Sequence, residues 1–393
     1  MTSVPSPRES PPMPRESPLS LRDSALGLAL LAIAGFFAWQ SPQFLSSRNL
    51  SLLAIDFSIT AVLAIGMLLV LLPGHIDLSA GSGVGLIGGI GAVLITHHAW
   101  PAPFALLAGI AVALVLWWAM GALIVMQRIP AFIITLGGLL VFKGLFWQVI
   151  GNKTVPVVTG GQANLYSALT TYYLPHTAGF ALAALVIAAL VFFRWKASAA
   201  QRAEGFETDD PELAFLRLFI TAQALLLFVL IAHQFRGVPL PVLILGAVAL
   251  VVWVLTQHTP WGRYLYAIGG NEEAAIISGV PVARVTIGAF VLMGGIVALT
   301  GFLQTAYGGS STTTVGDLME LDAVAACVIG GVSLRGGRGT VPGVLIGALI
   351  MALLLNGMTL LAVQPEQKFI ARGLVLILAV WMDVRLSRLA VRG

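Results

Sequence analysis

Uninterrupted apolar runs recur along almost the whole chain, many of them about 17 to 25 residues long, enough to cross a hydrocarbon core of about 30 Å as a helix. Leu50 to Leu72, Phe104 to Met126, Val285 to Leu303 and Val341 to Leu361 are examples. Only 10% of the 393 residues are charged, against roughly 25% in a soluble domain, which excludes an ordinary water-soluble enzyme. Ten to twelve hydrophobic segments can be counted, starting with Ala25 to Trp39. Those beside Gly74 to Asp77 and Gly330 to Gly339 are broken by Gly and polar residues and read as half-helices. The expected fold is therefore all-α, a polytopic membrane protein of about 10 transmembrane helices embedded in a lipid bilayer.

The punctuation between the segments suggests a layout. Residues 1–23 are rich in Pro, Ser and charge, with Pro-Arg-Glu-Ser-Pro at Pro7 to Pro11 and again at Pro14 to Pro18, and read as a disordered tail. No small-residue cleavage pattern follows Ala25 to Trp39, so that run reads as a retained helix. With the N-terminus placed inside, only Arg48, Lys143, Lys153, Arg236, Lys368 and Arg372 of the 21 basic residues fall outside. The positive-inside rule then puts both termini in the cytoplasm, together with loops at 196–212 and 256–284 and a short tail at 384–393. The membrane domain spans 24–383. An offset of 256 residues aligns Gly74 to Leu94 with Gly330 to Ile350 at seven identical positions of 21, the pattern of a transporter built from two related halves.

Several chemistries have no residues to carry them. Cys327 is the single cysteine, so no intramolecular disulfide forms and redox chemistry is not a candidate. His97, His98, His233 and His258 show no metal-ligand spacing. No phosphate loop of the Gly-x-x-x-x-Gly-Lys-Ser/Thr type occurs, so the chain is expected to bind no cofactor and any ATP must sit on another chain. A net charge of +4 does not imply nucleic acid.

The segment Gly269 to Pro281 is the most informative. Asn271 suits an N-cap, Glu272 and Glu273 complement the positive end of a helix dipole, and Ala274 and Ala275 continue the helix. Gly279 suits its C-terminal cap and Pro281 stops it, predicting a helix over 272–278 of about 10 Å. So short a helix needs something to pack against, and its cytoplasmic loop is where a soluble partner would dock. Elsewhere, Asp77 follows Pro73-Gly74 and suits a cap for a half-helix starting at Leu78, with Ser79 helping; it also suits a pathway lining. Asn356 lies mid-segment and could bond a neighbouring helix or a sugar hydroxyl. Asp56 reads as solvated or paired with Arg48. The nine tryptophans lie mostly near segment ends and read as an interfacial belt.

These residues carry a resemblance. Glu273-Ala274-Ala275 followed by Gly279 resembles the cytoplasmic coupling loop of the permease subunits of ATP-binding cassette importers. Ile76-Asp77-Leu78-Ser79-Ala80-Gly81-Ser82, Tyr264 to Gly279 and Ile329 to Gly339 are similar to the branch that imports ribose, arabinose, galactose and xylose. Gly237-Val238-Pro239, Asp322 to Gly331, Asn356-Gly357-Met358 and Ala379 to Asp383 look most like its xylose subtype. Ile276 stands where that family usually has Arg, and Asp56 where an uncharged amide is common.

The resemblance implies a non-catalytic transport subunit of the bacterial inner membrane, acting as a homodimer. A sugar-binding protein would deliver substrate outside, and a cytoplasmic ATPase would hold ATP-Mg. Coupling would fall to Asn271, Glu272, Glu273, Ala274, Ala275 and Gly279, and the sugar pathway to Asp77, Ser79 and Asn356. A different class of function, a proton-coupled secondary transporter, would use Asp56, Asp77 and Asp322 as a relay and would need no coupling helix.

Overall fold

The structure, a computed structural model, describes residues 21–158, 160–203 and 211–390. The helices in chain order are α1 (Leu21–Gln40), α2 (Ser47–Leu71), α3 (Ala80–Thr96), α4 (Ala102–Gln127), α5 (Ala131–Ile150), α6 (Leu165–Thr171), α7 (His176–Ala203), α8 (Pro211–His233) and α9 (Leu240–His258). There follow α10 (Pro260–Gly270), α11 (Glu272–Ile277), α12 (Val282–Gly308), α13 (Met319–Ile329), α14 (Val341–Leu360) and α15 (Pro365–Ala390). Proline in the first turn opens α4, α9, α10 and α14, where its missing N–H has no intrahelical partner to lose. Two-residue strands β1 (Val155–Pro156) and β2 (Ser310–Ser311) pair antiparallel and are a minor departure from an all-helical chain.

Among the described residues, eight helices are long and apolar enough to cross a membrane: α2, α4, α5, α7, α8, α9, α12 and α14. α1 and α3 add shorter apolar stretches, Leu26–Gln40 and Ala80–Thr96. Of the tail expected at 1–23, residues 1–20 lie outside the described residues, and α1 already begins at Leu21. In the loop expected at 196–212, α7 instead runs on to Ala203, because the alanine-rich stretch 197–203 favours helix beyond the apolar run, and 204–210 lie outside the described residues. α15 likewise covers 384–390 of the expected C-terminal tail, and 391–393 lie outside.

α2 runs through the centre, buried along most of its length and packed by α9, α12, α13 and α14. α12 also packs on α3 and α4. Internal pseudo-symmetry relates the packing of α3, α4 and α5 to that of α12, α13 and α14. α3 meets α12 almost backbone to backbone: a methyl group on Gly88 would lie 2.2 Å from Thr305 Oγ1 and 2.7 Å from the Gly301 carbonyl oxygen. Small residues make that approach possible, as in membrane helix pairs generally. α7 and α8 pack on each other around a separate small core of Ala183, Val229, Ala232 and Val238. Outward-facing Leu, Phe and Trp side chains cover α4, α5, α7, α8, α9 and α15. An apolar surface of this extent belongs against lipid.

The aligned halves share a local feature as well. Asp77 Oδ1 accepts from the Ser79 N–H at 2.9 Å, and at the same offset of 256 residues Ser333 Oγ accepts from the Arg335 N–H at 3.2 Å. Both are side-chain turns in which a polar residue bonds the backbone two positions on.

Candidate functional site

The break after α2 builds the first site. Pro73 cannot continue the helical ladder and Gly74 takes a left-handed φ of +89°, so the chain leaves α2 and turns back into the protein. Asp77 ends up fully buried. Its Oδ1 accepts from the Ser79 N–H at 2.9 Å and the Ser79 hydroxyl at 2.5 Å, and its Oδ2 accepts from Trp117 Nε1 at 2.6 Å. Thr135 on α5 donates to the Ile76 carbonyl at 3.0 Å and holds the turn from the other side. The expected cap of a helix starting at Leu78 is corrected: α3 starts at Ala80 because the Asp77–Ser79 bonds close a turn first, leaving Ser79 as an N-cap with no side-chain cap bond. Trp117 is an exception to the interfacial belt. It lies wholly buried in the middle of α4, with its ring 5.3 Å from that of Phe142, because its indole N–H is spent on Asp77.

The second site is α11 and what it stands on. The Asn271 side chain accepts from the Ala274 N–H at 2.9 Å, and Glu272 and Glu273 occupy the first turn. The helix ends at Ile277, one residue before the expected Ser278, which becomes the C-cap as Gly279 turns left-handed at φ +81°. Ala275 is buried, whereas Ile276 is 56% and Ile277 87% exposed. α10, immediately before it, ends in Gly269-Gly270 and lands on two other segments at once. The Gly337 N–H donates to the Leu72 carbonyl at 2.9 Å, and a methyl group on Gly269 would lie 1.9 Å from that oxygen and 2.3 Å from Gly337 N. Tyr266 clamps the arrangement by donating to the Gly339 carbonyl at 2.8 Å while Gln257 donates to its hydroxyl at 2.9 Å. Burial pushes the Tyr266 phenol up from its ordinary value, which keeps it a donor. Three segments distant in sequence, 72–82, 264–279 and 329–339, thus meet at one glycine junction.

Asn356 is not part of either site. It exchanges two amide hydrogen bonds with Asn49, at 3.0 and 3.1 Å, near the start of α2. Asp56 and Asp322 line one cavity with Asn356, whereas Asp77 does not. The expected pairing of Asp56 with Arg48 is corrected: no ion pair joins them, and the half-buried carboxylate instead lies beside Tyr307 of α12, which the packing of α12 on α2 brings alongside. Asp322 has Arg372 of α15 at 3.5 Å, and Lys143 of α5 pairs with Asp317 while donating to the Thr313 carbonyl at 2.9 Å. A relay through Asp56, Asp77 and Asp322 is therefore interrupted, since Asp77 is sealed by Ser79 and Trp117 away from the other two. Sequence reasoning missed Trp117, Tyr307 and Arg372. Only a tryptophan far from any segment end hinted at the first.

Comparison with known proteins gives a consistent answer. The chain matches the family described as "Branched-chain amino acid transport system / permease component" over residues 49–380. It is 37% identical over 366 residues to the xylose transport system permease protein XylH of Escherichia coli strain K12, covering 92% of this chain and 91% of that protein. Identity to the Haemophilus influenzae XylH is 36% over 362 residues, covering 91% and 94%. The E. coli K12 ribose import permease protein RbsC is 33% identical over 356 residues, covering 91% and 92%. No solved structure matches. A family match across most of the chain, with relatives of this identity over nine-tenths of both lengths, shows that the chain belongs to this family of multi-pass, non-catalytic permease components.

Proposed function

We infer that this chain is the membrane-spanning permease subunit of an ATP-binding cassette importer that carries a monosaccharide, D-xylose first, across the bacterial inner membrane. The observation that carries the reading is the similarity to the xylose and ribose permeases over nine-tenths of the chain. A pair of these chains works with a sugar-binding protein outside and a cytoplasmic ATPase that holds ATP-Mg. α1, α3 and α15 join the eight long helices in a bundle of about ten crossings, in which α15 returns the chain so that both termini are cytoplasmic.

Transport follows alternating access: the nucleotide state of the ATPase favours one arrangement of the permease pair over the other, and differential binding moves the equilibrium. In this scheme α11 is the coupling helix. Asn271, Glu272, Glu273, Ala274 and Ala275 shape its first turn, and Gly279 lets the chain return to α12. The glycine junction beneath it relays displacement to the Asp77–Ser79 turn, one part of the pathway, while Asn356 serves the opposite end of α2.

Sealed vesicles holding the permease, its ATPase and its binding protein test the reading through uptake of labelled xylose, with and without internal ATP. ATP-dependent uptake lost on omitting either partner supports it, and uptake by the permease alone that follows the proton gradient overturns it. Ile277→Asp bears on docking. Ile277 is exposed and supports no core, so the variant should fold normally and lose about tenfold or more of its affinity for the ATPase, read by co-purification. Unchanged co-purification would remove α11 from the docking surface.

A further inference from the structure

A cavity of about 280 Å³ opens beside the first half of α2, among α12, α13, α14 and α15. Its polar wall includes Asp56 and Thr60 of α2, Gln304 of α12, Asp317, Asp322 of α13, Asn356 of α14 and Arg372 of α15. Two larger grooves, one between α9 and α12 and one between α2 and α8, are lined almost wholly by apolar side chains and suit lipid. This one does not. Carboxylates and a guanidinium inside a membrane bundle are costly unless they pair or serve a ligand.

The pairing here is incomplete. Asp322 is 6% exposed, and its Oδ1 lies 3.5 Å from Arg372 Nε, too far for a hydrogen bond; both atoms are buried with no hydrogen-bond partner. A buried acceptor and a buried donor thus face each other across a gap. Both residues line the cavity, so turning the two side chains toward it presents this unsatisfied acceptor and donor side by side to a guest that donates and accepts with adjacent groups. Vicinal hydroxyls do so, one donating to Oδ1 while its neighbour accepts from Nε. An anion would meet Asp56, Asp317 and Asp322; a cation would meet Arg372 as well as these carboxylates, and the test below separates it from a sugar. The volume, near the low end of the roughly 300–1,000 Å³ of small-molecule sites, admits one sugar ring and not an oligosaccharide. Leu355 offers an apolar surface for a ring face.

We propose that this cavity is a monosaccharide-binding site of the permease itself, in which Asp322 and Arg372 bracket vicinal hydroxyls while Asp56, Gln304 and Asn356 read the rest of the ring. The proposal rests on the sugar-importer reading and deepens it: specificity is then shared between the separate binding protein and the membrane subunit.

The test uses the full chain in lipid nanodiscs, without ATPase or binding protein, titrated with xylose and ribose by saturation-transfer NMR. The wild type should bind at least one of the two saturably. Gln304→Ala, a half-buried position, should weaken that binding by about tenfold, and Asp322→Asn by more. If Asp322→Asn fails to fold, judged by size-exclusion elution, Gln304→Ala and Thr60→Val carry the test. The proposal is overturned if the wild type shows no saturable binding of either sugar, or if both of those milder variants bind as well as the wild type. Sodium displacing the sugar competitively would overturn it too, in favour of a cation site. ATP-driven uptake in the complete assembly separates the two levels: uptake that persists while the proposal fails leaves the importer reading intact, and its absence fails that reading itself.

Discussion

Gly269→Ala is expected to reduce ATP-driven sugar uptake by at least about tenfold while the neighbouring Gly270→Ala behaves as wild type. The two positions differ only in what a methyl group meets. At Gly269 it would sit 1.9 Å from the Leu72 carbonyl oxygen and 2.3 Å from Gly337 N; at Gly270 nothing lies within 4 Å. The obstructing atoms are backbone, so they cannot rotate away, and relief requires α10 to lift off the junction. Overpacking of this kind costs about 1–3 kcal/mol. α11 would remain folded, since its caps at Asn271 and Gly279 are local, and would still meet the ATPase. ATP hydrolysis should therefore continue while uptake falls. Equal uptake by the two variants would show that the junction is not on the route between α11 and the pathway.

An effect of similar size is expected at Asp77. Asp77→Ala leaves the Trp117 and Ser79 N–H groups buried without an acceptor and the Ser79 hydroxyl with only the Met120 sulfur at 3.7 Å, at a cost of about 2–4 kcal/mol, and should lower the thermal inactivation midpoint in detergent along with uptake. Asp77→Asn separates the two sides of the carboxylate. An amide can keep accepting from Ser79 through its oxygen, but then turns an NH2 group toward the Trp117 N–H, donor against donor. Trp117→Phe removes that conflict. The double variant should be more stable than the sum of its single changes predicts, by about 1 kcal/mol or more. Strict additivity would mean that the contact between Trp117 and Asp77 carries no energy of its own.

What could be read in advance was what neighbouring residues decide. α11 is a case: its start depends on Asn271 and its end on Gly279, all within a span of nine residues, and it lies within one residue of its expected bounds. The long apolar helices were legible for a similar reason, because length and hydropathy suffice to identify them. The partners of the buried polar groups were not. Trp117 is 40 positions from Asp77, and Arg372 lies on a different helix from Asp322, so their meeting depends on how α4 and α15 are seated. Even the start of α3 shifted by two residues, since Asp77 closed a turn onto Ser79 and did not cap the N–H groups of the helix. Asn356 was visible as an oddity inside an apolar segment, but its reciprocal amide pair with Asn49 exists only because α14 and α2 lie side by side.

The glycine junction also bears on how such a protein can be recombined. Its contact between Leu72, Gly269 and Gly337 is made by main chain alone, so no side chain elsewhere can be enlarged or reduced to restore it once the backbones are mismatched. Segments 72–82, 264–279 and 329–339 therefore form a single unit of exchange. A chimera with a related permease that swaps all three together should assemble and transport, whereas one that swaps only the α11 loop would join two halves of a hinge cut to different patterns.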